Sequence, residues 1–356
     1  MKEKAKRVIK TRLEDLAREA NVSKATVSLA LSGNPKVAAK TVELITKLAA
    51  KHNYTPNSFA RRLSKRTSET VSLFMMGKAT EYSGWLIPSS WLFYNPIFKG
   101  VSLTLSEKHY QFSFEFINLD GKKRENNIIS HAQSSSADGL LILIIDESDY
   151  SFLESLDVFL PIITINKKLS DTLSSFEIDN YKGAFDVVNY LATLGHRKIA
   201  HIGGPFYAYN AVDRFNGYVA SLKEIGVMFR EDYVVEGDWN IESGREGMKT
   251  LLNLPEPPTA VFCANDHMAI GAMEAVEEAG LTIPRDISLI GYDDTEMSRV
   301  VRPKLSSVSQ PLEKLGRMAA NEILRRITAK SVPDSKKHVV LPPLLVKRDS
   351  CCEPSR

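Results

Sequence analysis

The ten residues Val22-Ser23-Lys24-Ala25-Thr26-Val27-Ser28-Leu29-Ala30-Leu31 constrain this chain more than any other stretch. An apolar stripe of Val22, Val27 and Leu31 runs along a short segment whose front carries Lys24, Ala25, Thr26 and Ser28. That pattern suits a helix with one face on a core and the other open to a groove. Upstream, Thr11-Arg12-Leu13-Glu14 has capping-box spacing and should start a helix with Leu13, Leu16, Ala17 and Ala20 on its apolar face. Asn21 tolerates a left-handed backbone, so Ala20-Asn21-Val22-Ser23 can be a tight turn, with Ser23 capping the second helix. Two short helices joined in this way form a helix-turn-helix. An ordinary helical hairpin buried in a core satisfies the same loose pattern.

Charge separates the two readings. Residues 1–67 carry 16 Lys and Arg against 5 Asp and Glu, a net +11, whereas the remaining residues carry 30 against 38, a net −8. A basic head on an acidic body is the electrostatic footprint of a chain whose head alone meets phosphates. The sign change also marks a domain boundary. At 356 residues and 43% hydrophobic content, two or three domains with substantial cores are expected. The N-terminus is polar and basic, without the apolar core of a signal peptide, and no apolar run is long enough to span a membrane, so a cytoplasmic location is expected. Cys263 falls in an apolar run and reads as core; with Cys351-Cys352 it makes neither a disulfide framework nor a zinc pattern.

After Gly33-Asn34-Pro35 a third helix is expected, with Val37, Val42, Ile45, Leu48 and Ala49 at helical spacing, and Tyr54-Thr55-Pro56-Asn57 closes the small domain. The next segment, Asn57 to Leu63, could form a short helix that is marginal alone. From Val71 onward, short apolar runs alternate with amphipathic stretches, the texture of parallel strands with crossover helices. Strands are expected at 71–76, 111–117, 139–145, 161–166, 199–203, 260–263 and 287–292. Helices are expected at 96–108, 125–134, 180–193, 214–225, 243–252 and 267–279. So long an α/β run suggests two subdomains of similar build.

Ligands of open α/β sheets bind beyond the carboxyl ends of the strands. Three such ends carry acceptors for hydroxyl groups: Asp146-Glu147, Asn265-Asp266 and Asp293-Asp294. Asp266 could as well cap a helix; for Asp293, followed at once by a second carboxylate, ligand binding is favoured. No phosphate loop, dinucleotide fingerprint or nucleophile elbow occurs, and the seven histidines fall in no metal-ligand spacing. An enzyme is therefore disfavoured, and no cofactor or metal is expected. A transport solute-binding protein is the other rival, but it would need a secretory signal and no basic head.

The run Val22-Ser23-x-x-Thr26-Val27-Ser28, the segment Tyr54-x-Pro56-Asn57-x-x-Ala60-x-x-Leu63 and several later blocks resemble the lactose/galactose repressor family of bacterial transcription regulators over nearly the whole chain. The resemblance implies an N-terminal all-α helix-turn-helix DNA-binding domain (1–56), a hinge helix (57–67) and an α/β effector and dimerisation domain of two subdomains, built like a periplasmic binding protein (68–349). The N-subdomain would hold 71–165 and 312–340, and the C-subdomain 166–310 and 341–349. A homodimer would place two copies of the second helix in the major groove of a pseudo-palindromic operator.

In that family the first residues of the second helix read bases, which here are Lys24 and Ala25, beside Thr26, Ser28 and Leu29. Lys24 can donate to guanine, and Ala25 offers only a methyl contact to thymine. Leu29 stands where relatives commonly have arginine, so the operator should differ there. The hinge (Asn57, Ala60, Arg61, Leu63) would pair in the minor groove and wedge Leu63 between base pairs, with Arg7, Lys10, Arg61 and Arg62 near phosphates. Ala38, where a capping serine is common, should cost the third helix about 1 kcal/mol.

For the effector, Arg214-Phe215-Asn216-Gly217-Tyr218 resembles the block whose arginine forks onto ligand oxygens. Gly237-Asp238-Trp239 would set an aromatic ring against the ligand, and Asn95-Pro96-Ile97-Phe98 would line the pocket through Phe98. With Asp146, Asn265, Asp266 and Asp293 these residues suit a sugar, whose ring faces stack and whose hydroxyls donate; a purine or another metabolite is the alternative. The stretch from Gly77 to Phe93, with Trp85 and Trp91, departs from the family pattern in length and aromatic content. No heptad pattern follows Arg348, which favours a dimer over a tetramer.

Overall fold

The computed structural model describes residues 12–31, 34–52, 54, 67–76, 93–117, 121–134, 136–145, 148–329 and 336–355. Thr11, the hinge residues Asn57, Ala60, Arg61 and Leu63, the basic Arg7, Lys10 and Arg62, the pair Asp146-Glu147 and the stretch 77–92 lie outside them. The chain divides into two compact units, 1–68 and 69–356.

The first unit is three helices, α1 (Leu13–Glu19), α2 (Lys24–Leu31) and α3 (Ala39–Lys51). The capping box sits one residue later than the sequence suggests. Arg12 N–H donates to Asp15 Oδ2 at 2.8 Å, so Asp15 rather than Glu14 closes the first turn. Asn21 takes the expected left-handed conformation, φ 53°, and Ser23 Oγ accepts from Thr26 N–H at 3.0 Å, capping α2. Ala38 precedes α3 with no side-chain cap. Leu16, Ala17, Ala20, Val27, Ala30, Ile45 and Ala49 form the core, with Val22 and Leu31 only partly buried at its margin. The buried stripe of α2 is thus Val27 and Ala30. Leu16, Val27 and Ile45 are fully buried, each worth about 1.5–3 kcal/mol, enough to hold helices too short to persist alone.

The second unit carries two parallel sheets. In chain order its elements begin with β1 (Thr70–Met76), α4 (Asn95–Glu107), β2 (Gln111–Ile117), α5 (Gly121–Gln133), β3 (Gly139–Ile144), α6 (Phe152–Leu156), β4 (Ile162–Ile165) and β5 (Ser174–Ile178). There follow α7 (Asn180–Thr193), β6 (Ile199–Gly203), α8 (Tyr209–Glu224), β7 (Val234–Glu236), α9 (Ile241–Leu252), β8 (Ala260–Cys263), α10 (Asp266–Glu278), β9 (Ser288–Ile290) and α11 (Glu296–Val300). The chain ends with β10 (Ser307–Ser309), α12 (Leu312–Thr328), β11 (His338–Leu341) and β12 (Leu344–Val346). The first sheet runs β11-β5-β4-β3-β1-β2 and the second β7-β6-β8-β9, with β10 and β12 pairing antiparallel beside it. Every residue of β1 and β3 is buried, as strands covered on both faces by helices must be.

The chain therefore passes between lobes three times, after Ile178, near Gln310 and after Leu341. The first crossing corrects the expected N-subdomain limit at 165. Strand β5 pairs with β4 and β11, so residues up to 178 belong to the first sheet. Its sequence, Ser-Ser-Phe-Glu-Ile, is polar on alternate positions and lacks the continuous apolar run that marked the other strands. The C-terminal limit also moves outward from 349. Ser350 is buried in the second lobe, its Oγ donating to Leu289 O at 2.6 Å and accepting from Ser306 N–H at 2.8 Å.

Helices α4 and α12 cover one face of the first sheet and touch backbone to backbone. A Cβ on Gly100 would lie 2.2 Å from Glu313 O, and one on Gly316 would lie 2.3 Å from Ile97 O. Below them, Asp157 joins two cations, Arg326 Nη2 at 2.7 Å and Lys336 Nζ at 2.6 Å, and accepts from Ile162 N–H at 2.7 Å. Among the described residues, no helix is long and apolar enough to cross a membrane.

Candidate DNA-reading face and effector site

On the first unit, Lys24, Ala25, Ser28 and Leu29 form one exposed face of α2, while Thr26 is half-buried with its hydroxyl 2.9 Å from that of Ser23. Leu29 leaves 39% of its surface open, a large apolar group beside Lys24, Ala25 and Ser28. Lys24 Nζ is paired with Glu14 at 2.5 Å across the turn from α1.

In the second unit, Asp293 after β9 and the backbone of Ala264 after β8 meet at Arg214. This side chain is only 2% exposed, near the start of α8. Its Nε donates to Asn180 Oδ1 at 2.9 Å, its Nη1 donates to Ala264 O, and its guanidinium carbon lies 3.8 Å from the centroid of the Tyr292 ring and 5.7 Å from that of Trp239. So much fixing of one long side chain removes the rotamer entropy that a ligand contact would otherwise cost.

Asp293 follows β9 with φ 108°, a conformation that non-glycine residues adopt only when their surroundings impose it. Here Asp293 N–H donates to Val308 O at 2.8 Å, and Gln310 Nε2 donates to Asp293 Oδ1 at 2.8 Å. Arg214 Nη1 lies 3.6 Å from the same oxygen. Burial nevertheless pushes the carboxyl up to about 8, with Arg214 opposing the shift and Asp266 adding to it. A carboxyl raised in the fold favours folding while protonated, and that stability is lost as pH rises toward the folded value. The slope is about 1.4 kcal/mol per pH unit. The protein is expected to lose about 2–3 kcal/mol from this group between pH 6 and 9. Thermal unfolding of Asp293→Asn should show a correspondingly flatter pH profile, and a profile identical to the unsubstituted chain would contradict the burial of an ionisable Asp293.

Trp239 also has a positive φ, 73°; its carbonyl accepts from Asn265 Nδ2 at 2.9 Å, and its indole lies on Gly204, where an added Cβ would come within 2.2 Å of the ring. Glycine after β6 is thus what lets the indole approach the strand ends. Asn265 Oδ1 accepts from Met268 N–H at 2.8 Å, making Asn265 the cap of α10 as well as the holder of Trp239.

Two expected site residues have their described contacts away from Arg214. Asp266 is fully buried and its oxygens are taken by Ser307 Oγ at 2.5 Å, Thr295 N–H at 2.6 Å and Thr295 Oγ1 at 2.9 Å. It is neither the cap of α10 nor open to a ligand; it ties the segment after β9 and the start of β10 to α10, and burial raises its pKa to about 6. Phe98 packs on Phe114 of β2, ring centroids 4.7 Å apart, against the core of the first sheet, and no described contact joins it to Arg214. It lies in the first turn of α4, two positions after Pro96.

Other residues enter the site that the sequence did not single out. Tyr94, just ahead of α4 in the first lobe, is hydrogen-bonded to Asn166 at the end of β4, and both are buried. Burial pushes the Tyr94 hydroxyl up to about 12, while the charges of Arg214 and Asp293 act on it from the second lobe. Tyr209, at the start of α8, is similarly raised by burial and feels both Tyr94 and Arg214. The guanidinium, the Asp293 carboxyl and the Trp239 indole thus meet in the second lobe, the charges of Arg214 and Asp293 reach Tyr94 in the first, and Lys167 Nζ of the first lobe lies 5.9 Å from the Tyr209 ring centroid. Such a set can orient a small polyhydroxylated molecule. Among the described residues it pairs no nucleophile with a base.

Comparison with known proteins agrees with this arrangement. Residues 12–57 match the model of bacterial regulatory proteins of the lacI family, and residues 188–351 match a periplasmic binding protein-like domain. The chain is 33% identical over 333 residues to the probable HTH-type transcriptional repressor ExuR of Bacillus subtilis (strain 168), covering 92% of this chain and 94% of that one. The crystal structure of the lac repressor dimer bound to operator and the anti-inducer ONPF superposes with a TM-score of 0.81 at 28% identity, over 96% of this chain and 99% of that one. The complex of the transcriptional regulator CelR with cellobiose gives a TM-score of 0.69 at 28% identity, with the same coverage. Carrying the family's head, its two-lobed body and full-length identity to a named repressor, the chain belongs to the lacI family of bacterial regulatory proteins and is a transcription regulator rather than an enzyme.

Proposed function

We propose that the chain is a cytoplasmic repressor that binds a pseudo-palindromic operator as a homodimer and is controlled by a carbohydrate held between the lobes of its second unit. The observation that carries the effector reading is the Arg214 cluster. A buried guanidinium, the Asp293 carboxyl, the Tyr94 and Tyr209 hydroxyls and the Trp239 indole combine forked polar recognition with an apolar face, the two things a sugar ring presents. The cellobiose complex of a regulator with the same architecture supports the same class of ligand. Arg214, Asp293, Trp239 and Asn265 are assigned to the effector, the last through its hold on Trp239.

On the DNA side, Lys24, Ala25, Ser28 and Leu29 would face base edges in the major groove, with Thr26 steadying the helix start. Asn57, Ala60, Arg61 and Leu63 would follow as the minor-groove hinge, Leu63 as its wedge. An effector closes the two lobes and shifts the operator-bound population only to the extent that it binds one arrangement more tightly than the other.

Selection from random duplex DNA with the full-length chain, followed by a salt titration on the recovered sequence, tests the reading. A two-fold-related recovered site and an affinity falling by about three orders of magnitude or more between 50 and 200 mM salt are expected for a head neutralising six or more phosphates. Recovery of no consensus would overturn it.

A further inference from the structure

The four described acidic residues of the head have distinct partners. Asp15 caps α1. Glu19 fastens α1 to the end of α3 through Lys51 at 2.8 Å and His52 at 2.6 Å. Glu43 pairs with Lys47 one turn away within α3. Glu14 alone reaches to the exposed face of α2, where it holds the Lys24 ammonium at 2.5 Å. Neither side chain is buried: Lys24 is 63% and Glu14 45% exposed, so an ion pair here adds little to stability. What it does is place a carboxylate acceptor directly beside an ammonium donor on the face that meets DNA, in a head whose basic character would otherwise exclude acid from that face.

We propose that Glu14 is a specificity-determining residue, which together with Lys24 reads a G·C base pair in the major groove as an acceptor–donor couple. Guanine presents O6 and N7, both acceptors suited to the Lys24 ammonium; its partner cytosine presents the N4 amino group, a donor suited to a carboxylate, on the neighbouring edge of the same pair. An ammonium and a carboxylate in contact reproduce that adjacency. Glu14 also restrains Lys24 from turning to a phosphate, so the pair sacrifices sequence-independent attraction for base recognition. An A·T pair presents acceptor, donor, acceptor across the groove (N7, N6, O4), so an ammonium set to bridge two neighbouring acceptors would meet the adenine N6 donor, and the couple fits it less well.

This inference rests on the reading of α2 as the groove helix, and the experiment separates the two. Random-duplex selection is run on the full-length chain and on Glu14→Gln, an exposed substitution expected to leave thermal stability unchanged. The unsubstituted chain should recover a G·C pair at one fixed position in each half-site. In Glu14→Gln the preference for that pair should fall by about tenfold, while the remaining positions keep theirs. The log–log salt slope should steepen by about 0.9, because Lys24 becomes free to neutralise one more phosphate. No consensus with the unsubstituted chain would overturn the DNA reading itself. A consensus that Glu14→Gln reproduces at every position would overturn only the role of Glu14, including the case in which the salt slope alone changes.

Discussion

Arg214→Met is expected to weaken effector binding by about two to three orders of magnitude while leaving operator affinity in the absence of effector within about threefold. Methionine fills much of the volume but removes the bonds to Asn180 and Ala264 and, among the described residues, the only cation paired with Asp293. Removing one partner of a buried charge pair typically costs about 2–5 kcal/mol, much of it from the group left behind. Asp293, raised to about 8 by burial and so already largely protonated at neutral pH, would lose the one neighbour that lowers it by charge and be held in the neutral form to higher pH. The loss to the site is therefore chiefly that of the guanidinium and its donors. The residues proposed to read the operator belong to a separate compact unit, which is why DNA affinity should be spared. Calorimetric titration with a sugar that binds the unsubstituted chain, alongside fluorescence anisotropy on operator DNA, reads both numbers. A dissociation constant for effector changed by less than fivefold would remove Arg214 from the site.

The second large effect is on folding. Asp157→Ala should destabilise the chain by about 3–5 kcal/mol, a large part of the total stability of a typical domain. Asp157 is buried beneath α12, where its carboxylate faces Arg326, itself 6% exposed, and Lys336. Burial works against its charge, but Arg326, Lys336 and the Ile162 N–H outweigh it and hold the group below the usual carboxylate range. The stability this contributes is present at neutral pH and lost as pH falls through the depressed folded value. Alanine would leave two cations without their anion and the Ile162 N–H without its acceptor. Urea unfolding measures the loss. The double substitution Asp157→Ala with Arg326→Met should recover much of it, since an apolar pair replaces a buried ion pair at little cost. A loss below 1 kcal/mol for Asp157→Ala alone would show that the site is wetter than its burial indicates.

The sequence made the fold legible where local chemistry was self-sufficient. Strands 199–203 and 260–263 and helix 180–193 fall at the expected residues, because each is an uninterrupted apolar or amphipathic run with polar residues at its ends. Helix α8 begins at Tyr209 rather than Arg214, since its first turn gains its apolar character from burial against neighbours rather than from sequence periodicity. Strand β5 was hidden by serines that are buried only because other strands flank them. The same division holds in the site. Arg214, Asp293, Asn265 and Trp239 could be named from strand ends and from the family resemblance. Tyr94 and Tyr209 could not, because what brings them together is the apposition of two lobes. Asp266 misled because a carboxylate at a strand end looks alike whether it faces a ligand or, as here, the Ser307 and Thr295 hydroxyls. Phe98, expected from its motif, packs partly buried on Phe114.

The head shows the opposite balance. Its turn and caps follow from single residues, Asn21 and Ser23, and were readable. The contact between Glu14 and Lys24 was not, because it crosses the turn and depends on the angle between α1 and α2.

Fluorescence anisotropy with the duplex recovered by selection, measured for the full-length chain with and without a panel of sugars, tests the central claim most directly. The account predicts binding to that duplex at least a thousandfold tighter than to random duplex of equal length, and a shift in that affinity of about fivefold or more on adding one of the sugars. Equal affinity for the two duplexes, unmoved by every sugar, would contradict it.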